Sequence, residues 1–385
     1  GIIENYVALK NELTQQGHRF RSQTDTEVII HLIEDLHREL SLEEAVRQAL
    51  LKVQGSYAIG VISAKEPDKL VCARSGSPLV VGQGQGENFI ASDVPALLDC
   101  VKDALFLEDN EVAVLTKDAV KITNLAGAIM AREPVRITWD VSQAQKQGWP
   151  HFMLKEINEQ PQVLESILKQ RIPIDRGRIF FEELKISEEK LKQVRAIVIV
   201  ACGTAYHAGL CARYVLEEFC KRPVNVDLAS EFRYRDPLLS EGTLVIAISQ
   251  SGETADTLAA VREAKKRGAV ILAVCNVLGS SLVRESDGVI YTHAGPEIGV
   301  ASTKAYTAQL AILYLCAFYL AGLLERAEGA VLDRLLGSLR RCPGLQAEFL
   351  KNQNLVKTIA HRHSHFGSFL FLGRNVNYPS ALEGA

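Results

Sequence analysis

No C-x-x-C pair occurs, although the chain has eight cysteines: Cys72, Cys100, Cys202, Cys211, Cys220, Cys275, Cys316 and Cys342. That scatter signals neither a thiolate zinc site nor a disulfide framework, and reduced thiols in the cytoplasm are expected. A dominant charge sign is also lacking. A net charge of -3 over 385 residues offers no electrostatic case for nucleic acid or an anionic membrane as partner. No apolar run reaches the roughly twenty residues that cross a membrane as a helix. The uncharged stretch "LAILYLCAFYLAGLL", Leu310 to Leu324, stops at fifteen, and a helix buried on all sides of a large core is expected there. The first residues hold neither a basic segment nor a long apolar one, so no export signal is expected.

What is present is ordinary for a globular chain: 47% hydrophobic and 23% charged residues, with length enough for two or three cored domains. Residues 1–145 read as α+β. In "TDTEVIIHLIEDLHREL", Thr24 stands three residues before Glu27, a capping-box spacing, and Val28, Ile29, Leu32, Ile33 and Leu36 mark one helix face. Ser41 and Glu44 repeat the spacing ahead of a second helix. Short strands follow, "SYAIGVISA", "KLVCARSG", "PLVVGQG", "ENFIASD", "EVAVLT" and "AVKIT", punctuated by Gly, Asp and Asn as antiparallel hairpins require. A polar stretch holding Gln143, Gln145, Lys146, Gln147 and Gly148 before Trp149-Pro150 reads as a linker, and "HFMLKEINEQPQVLESILKQR" as a helix, within a connecting segment 146–190.

From Arg195 the pattern alternates. "AIVIVA", "PVNVDLAS", "TLVIAIS", "AVILAVCNV" and "GVIYTHAG" are apolar strands separated by helices, which predicts an α/β domain over 191–330 with a parallel sheet covered on both faces. After Ser364, "SFLFLGRNVNYPSALEGA" echoes the strand, turn and helix of "AIVIVACGTAYHAG", a hint of an internal repeat over 355–385.

Ligands of such sheets sit at the carboxyl ends of strands. "TLVIAIS" ends in Ser249, Gln250, Ser251, Gly252 and Thr254 where a helix begins, so three hydroxyls, an amide, a glycine and unpaired helix N–H groups converge. A single serine would suffice as a helix cap. Three make a phosphate cradle without lysine, and not a P-loop, since no Gly-Lys-Ser/Thr follows. Cys202, Gly203 and Thr204 end the first strand of the same sheet. Cys202 reads as a small buried residue or as a nucleophile, and no His/Asn or His/Asp set is legible to support the second. In "EIGVAST", Ser302 and Thr303 either cap the next helix or donate to a ligand. "HRHSH", with His361, His363 and His365, reads as a solvated helix-to-strand turn rather than a metal site. Asp25 suits the start of a helix by charge alone.

Taken together, "SQSGETADTL", "CGTAYHAG", "ASEFRYR", "GSSLVRESD" and "EIGVASTKAYT" resemble the sugar-isomerase (SIS) signature of the glutamine–fructose-6-phosphate aminotransferase (isomerizing) family, the glucosamine-6-phosphate synthases. "GIIEN", "SQTDTEV", "RSGSPLVVG" and "ENFIASD" resemble the glutaminase domain of the same family. The resemblance covers essentially the whole chain. It implies an N-terminal-nucleophile glutaminase-like fold, then a first SIS domain and the start of a second. It further implies fructose 6-phosphate and glutamine as substrates, no cofactor, no metal and a homodimer. Carried over residue by residue, Asp25 matches the aspartate that holds the glutamine amino group, and Gly1 a backbone donor of the oxyanion hole. Cys202, Gly203, Thr204, Ser249, Gln250, Ser251 and Thr254 match the sugar-phosphate pocket, and Val300, Ala301 and Ser302 the segment lining the sugar. Glu383 matches a glutamate at the start of the catalytic helix and receives no role.

Two departures stand out. Ala205 replaces a serine in the usual "CGTSYHA", removing one phosphate donor. The chain also begins inside "HNGIIEN", without the cysteine nucleophile and the oxyanion asparagine. It stops at "LEGA", before the "LKLKE" lysine and glutamate, the ring-opening histidine and the C-terminal lysine. On this reading it is an internal fragment, expected to release no ammonia and make no amino sugar by itself. Rival readings are a non-catalytic sugar-phosphate sensor, against which the strand-rich and non-basic first segment speaks, and another glutamine amidotransferase. An asparagine synthetase would need an "SGGxDS" loop, which is absent.

Overall fold

A computed structural model describes residues 1–139, 144–173 and 178–385; Gln143 of the expected linker lies outside the described residues. The chain divides into two compact units, Gly1–Val141 and Ser142–Ala385.

The first unit opens with helices α1 (Tyr6–Gln15), α2 (Glu27–Leu36) and α3 (Leu42–Leu50). Strands β1 (Tyr57–Ser63), β2 (Glu66–Ser75), β3 (Val80–Gln83), β4 (Asn88–Ala91), β5 (Asp103–Phe106), β6 (Glu111–Leu115), β7 (Val120–Asn124) and β8 (Val135–Arg136) follow. They pair antiparallel in two sheets, ordered β1-β2-β6-β7 and β4-β3-β5-β8. The period of two sorts the side chains into layers. Val71, Ala73, Val112 and Val114 pack against Val28, Ile29, Leu32 and Val46 of the helices. Their neighbours Cys72, Ala113 and Leu115 face Val81 and Leu105 of the second sheet. The expected strands are present, whereas α1, β5 and β8 went unread: α1 buries only Leu9 and Leu13, and β5 and β8 are four and two residues long.

The two predicted caps part ways. Ser41 accepts from Glu44 N at 3.4 Å, as its spacing requires. Thr24 does not cap α2; the N-cap is Thr26, with no side-chain bond. Glu27 instead turns back on the preceding loop, accepting from the Ser22 hydroxyl (2.5 Å) and from the backbone of Arg21 and Ser22 (2.7 and 2.8 Å). The Ser22 hydroxyl bond foremost, these contacts hold its carboxyl down at about 2.

The second unit carries α4 (Phe152–Arg171), α5 (Glu188–Lys192), β9 (Ala196–Ala201), α6 (Gly203–Cys220), β10 (Val224–Leu228), α7 (Ala229–Tyr234), β11 (Thr243–Ser249) and α8 (Ala255–Lys266). Then come β12 (Val270–Cys275), α9 (Ser281–Arg284), β13 (Gly288–Tyr291), α10 (Lys304–Leu323), α11 (Gly329–Leu350), α12 (Gln353–His363) and α13 (Asn377–Gly384). The five strands are parallel in the order β10-β9-β11-β12-β13. Ile197, Ile199, Leu244, Ile246, Ile248 and Leu272 point to α4, α6 and α10, and Val198, Val200, Val245, Ala247 and Ile271 to α7, α8 and α9. Each such aliphatic side chain, fully buried, contributes about 1.5–3 kcal/mol, and β11 is buried along its whole length.

Three expectations are corrected here. The apolar helix α10 has twenty residues, not fifteen, so by length and hydropathy it would cross a membrane. Burial argues the other way: thirteen of its residues are buried, with Ile312, Leu313, Leu315 and Ala317 wholly inside the core. "SFLFLG" is not a strand. A strand needs a ladder partner, and among the described residues none pairs with it, leaving Phe369, Leu370 and Leu372 exposed. His361 and His363 lie in the last turn of α12, not in a turn leading to a strand.

Candidate functional site

The strand order locates the site before any residue is considered. From β9 the chain moves to β10 on one side and returns to β11 on the other, so the sheet switches direction between β9 and β11. Helices leaving adjacent strands on opposite faces open a crevice at the carboxyl ends there. Cys202 and Thr204 follow β9, Ser249 ends β11, and Gln250, Ser251 and Thr254 follow it. Together with Val300, Ser302, Ala205, Ile248, Glu297, Gly299 and Gln309 they line a cavity of about 230 Å³. Gly203 and Ala301, expected in the same pocket, are not among its lining residues; both are exposed beside it.

The loop after β11 is held in place from several directions. Ser249 Oγ accepts from Gly252 N (3.0 Å) and lies 3.0 Å from Thr254 Oγ1, while Ser251 Oγ accepts from Glu253 N (3.2 Å). A serine oxygen accepting a backbone N–H keeps its own proton to donate. Asn276 N donates to Gln250 O, Leu282 N to Gly252 O, and Ser281, through both N and Oγ, to the buried Glu253 carboxylate. Gly252 has φ +69°, and a Cβ there would meet Ser280 Oγ at 2.1 Å. The Ser249–Thr254 contact uses one hydroxyl proton, so the loop offers two, that of Ser251 and one from the Ser249–Thr254 pair, at the N-terminus of α8, whose first N–H groups lack intrahelical partners. Among the described residues, no Lys or Arg lines this cavity. The one acid on the wall, Glu297, is committed elsewhere: it accepts from Ser302 Oγ, Thr303 N and Ala305 N at 2.7–3.1 Å. Ser302 therefore serves neither as cap nor as a free donor; Glu297 satisfies the start of α10 in its place.

Signals that sequence spacing missed come from far along the chain. Glu156 of α4 accepts from Ile298 N and Gly299 N, 142 and 143 residues away, and so shapes the wall that carries Val300. Behind it Lys155 and Lys304 are both buried against Glu159 at 2.8 and 2.7 Å. Burial pushes the Glu159 carboxyl up, but the two lysines outweigh it and hold it below its ordinary value. Gln309 is 3% exposed, lines the cavity, and its Oε1 has no partner among the described residues. Glu383 of α13 accepts from Thr204 Oγ1 (2.7 Å) and contacts His207 Nδ1 (2.5 Å). The Thr204 hydroxyl proton is thus directed at Glu383 rather than into the cavity. Cys202 is half-buried and, among the described residues, has no histidine bonded to it.

In the first unit Asp25 Oδ2 accepts from Ile3 N at 2.6 Å, while Ser56 N donates to Ile2 O. Asp25 and Gly1 thus meet along one short stretch of backbone. At Gly1 a Cβ would lie 1.8 Å from Ser56 O, so no larger residue fits without a shift.

An anion-receptive cradle at the switch point of a parallel sheet, and in the other unit layered antiparallel sheets, define a phosphosugar-type α/β module joined to an amidotransferase-type α+β module. Residues 190–319 match the SIS domain family, and residues 1–99 the glutamine amidotransferase domain family. Curated relatives named glutamine–fructose-6-phosphate aminotransferase [isomerizing] align over all of this chain, at 48% identity in Clostridium tetani and 49% in Thermus thermophilus. The chain spans 63% of the length of each. A solved structure of the C-terminal domain of glucosamine-fructose-6-phosphate aminotransferase from Francisella tularensis superposes with a TM-score of 0.60 at 41% identity, over 63% of this chain and 68% of that one. The chain belongs to the glutamine–fructose-6-phosphate aminotransferase (isomerizing) family.

Proposed function

We propose that this chain takes part in forming glucosamine 6-phosphate from fructose 6-phosphate and glutamine, the amide nitrogen replacing the C2 oxygen as ketose becomes aldose and glutamate is released. Residues 1–145 are the C-terminal part of the glutaminase domain, 191–330 a first SIS domain reached through 146–190, and 355–385 the start of a second. Asp25 holds the substrate amino group and Gly1 lends its backbone to the oxyanion hole. Ser249, Gln250, Ser251 and Thr254 receive the sugar phosphate, with the backbone of Cys202, Gly203 and Thr204 at the start of α6 beside them, and Val300, Ala301 and Ser302 belong to the segment bordering the sugar. A cytoplasmic homodimer is the assembly this reading implies.

The observation that carries the proposal is the pair of available hydroxyl protons at the N-terminus of α8, that of Ser251 and one from the Ser249–Thr254 pair, since each charge-assisted bond to a phosphate is worth about 1.5–3 kcal/mol. Ser251→Ala should weaken fructose 6-phosphate binding about ten- to a hundred-fold, measured by calorimetry on the whole chain, and leave the weak binding of fructose unchanged. Equal affinity of the wild type for fructose and its phosphate would sink the assignment. Gln309→Leu separates sugar from phosphate: it should weaken fructose 6-phosphate about ten-fold and leave inorganic phosphate untouched. Parallel losses for both ligands would place Gln309 outside the sugar subsite.

A further inference from the structure

We infer that His18, His31 and Glu34 form a zinc site in the first unit, separate from both candidate substrate sites. The two histidines stand thirteen positions apart, so no ligand spacing announced them.

The two rings face each other through like atoms. His18 Nδ1 lies 3.0 Å from His31 Nδ1, and Glu34 Oε2 lies 3.8 Å and 3.4 Å from these two nitrogens. Tetrahedral zinc with bonds of about 2.0–2.1 Å sets its ligands roughly 3.3–3.4 Å apart. The observed triangle, with all three atoms within 4.8 Å of one another, brackets that spacing. The outer nitrogens point at carboxylates: His18 Nε2 is 2.7 Å from Asp35 Oδ2, and the buried His31 Nε2 is 3.6 Å from Glu27 Oε1. On His18 that carboxylate places the ring proton on Nε2 and turns the Nδ1 lone pair inward, the arrangement that prepares histidine as a metal ligand, while His31 Nε2 has no hydrogen-bond partner among the described residues. An inward lone pair on each ring would repel the other at 3.0 Å unless a proton or a cation lies between them. Phe20 supports the pair from the side, its ring edge-on to His31 at 4.6 Å.

The charge balance also favours a divalent cation. Three carboxylates, those of Glu27, Glu34 and Asp35, surround the two rings, and among them Asp35 is offset by Arg38 at 3.0 Å. Imidazole nitrogens with a carboxylate suit zinc better than calcium or magnesium. Two ligands come from α2 and one from the loop before it, so bound zinc would staple that loop to the helix. Glu27 already clamps the loop at Arg21 and Ser22, three residues short of Asp25.

Zinc titration of the whole chain, followed by calorimetry, tests this. One zinc per chain with a Kd below about 1 µM is expected. His18→Gln and His31→Gln should each weaken it at least a hundred-fold, and Asp35→Asn, an outer partner, about ten-fold. A variant with His361, His363 and His365 all changed to Asn should bind zinc like the wild type. Should His31→Gln fail to fold, Glu34→Gln on the exposed side should still fold and lose about ten-fold in affinity. Cobalt in place of zinc should show the strong visible absorption of a tetrahedral site, without a thiolate charge-transfer band. Absence of stoichiometric zinc, unchanged uptake in His18→Gln and Glu34→Gln, or loss of uptake in the triple-histidine variant would each overturn the site.

Discussion

Gly252→Ala should cost about 2–5 kcal/mol of stability and abolish measurable fructose 6-phosphate binding. Two effects add. The backbone stands at φ +69°, a left-handed conformation that costs a residue with a Cβ roughly 1–2 kcal/mol. The new Cβ would also lie 2.1 Å from Ser280 Oγ and 2.7 Å from Cys275 Sγ, both wholly buried. Such overpacking adds about 1–3 kcal/mol. Relief requires the loop after β11 to move, and that loop carries Ser251 and Thr254. Gly203→Ala is the internal control: its φ is +55°, but nothing lies within 4 Å of the added Cβ, so only the conformational cost applies. Urea unfolding of both variants decides the matter. Equal destabilisation would mean that the neighbours yield freely and that the cradle is not rigid.

Arg171→Met should destabilise the second unit by about 3–5 kcal/mol. Arg171 is 2% exposed, pairs with Glu183 through both terminal nitrogens (2.7 Å for one) and donates to Tyr291 O at 2.8 Å. Its loss leaves the Glu183 carboxylate in low dielectric without its cation. Burial pushes that carboxyl up, yet the Arg171 bonds and the Tyr291 N–H outweigh it, so its folded value lies below the ordinary one. A depressed carboxyl gives its stabilisation in full above its unfolded value, about 4.3, and loses it as pH falls through the lower folded value. The wild type should therefore lose stability below about pH 4. In Arg171→Met only backbone donors such as the Tyr291 N–H still oppose burial, so this acid loss should shrink markedly. Adding Glu183→Gln should restore about half of the lost stability or more, because no unpaired charge remains. A double variant no more stable than Arg171→Met would show that packing of the guanidinium, not its charge, is what matters.

Much of the fold was legible because it is encoded locally. Unbroken apolar runs, "LVCA" in β2 and "TLVIAIS" in β11, report burial within a few residues. The Ser41 cap needs only Glu44. Thr24 failed by the same local rule because Glu27 found better partners in Ser22 and Arg21, a competition that spacing does not record. The cradle residues Ser249 to Thr254 were readable for one reason: all of them sit in a single strand-to-helix turn. Glu156, Gln309 and the committed state of Glu297 were not, since each acts through contacts with no signature in neighbouring sequence. Length misled in the case of α10, where burial rather than the number of apolar residues separates a core helix from a membrane span.

By itself, then, the sequence determined most of the strands and helices, that the sheet of the second unit is parallel, and that a hydroxyl-rich turn ends one of its strands. Those properties depend on backbone and side-chain preferences over a few residues. Tertiary structure alone decided that β10 lies outside β9, and hence that the crevice opens between Cys202 and Ser249. It alone directed the Thr204 hydroxyl to Glu383, 179 residues away, and set two histidine rings nitrogen to nitrogen. Strand order and ring contacts depend on which surfaces bury each other best across the whole chain, and no short window of residues contains that information.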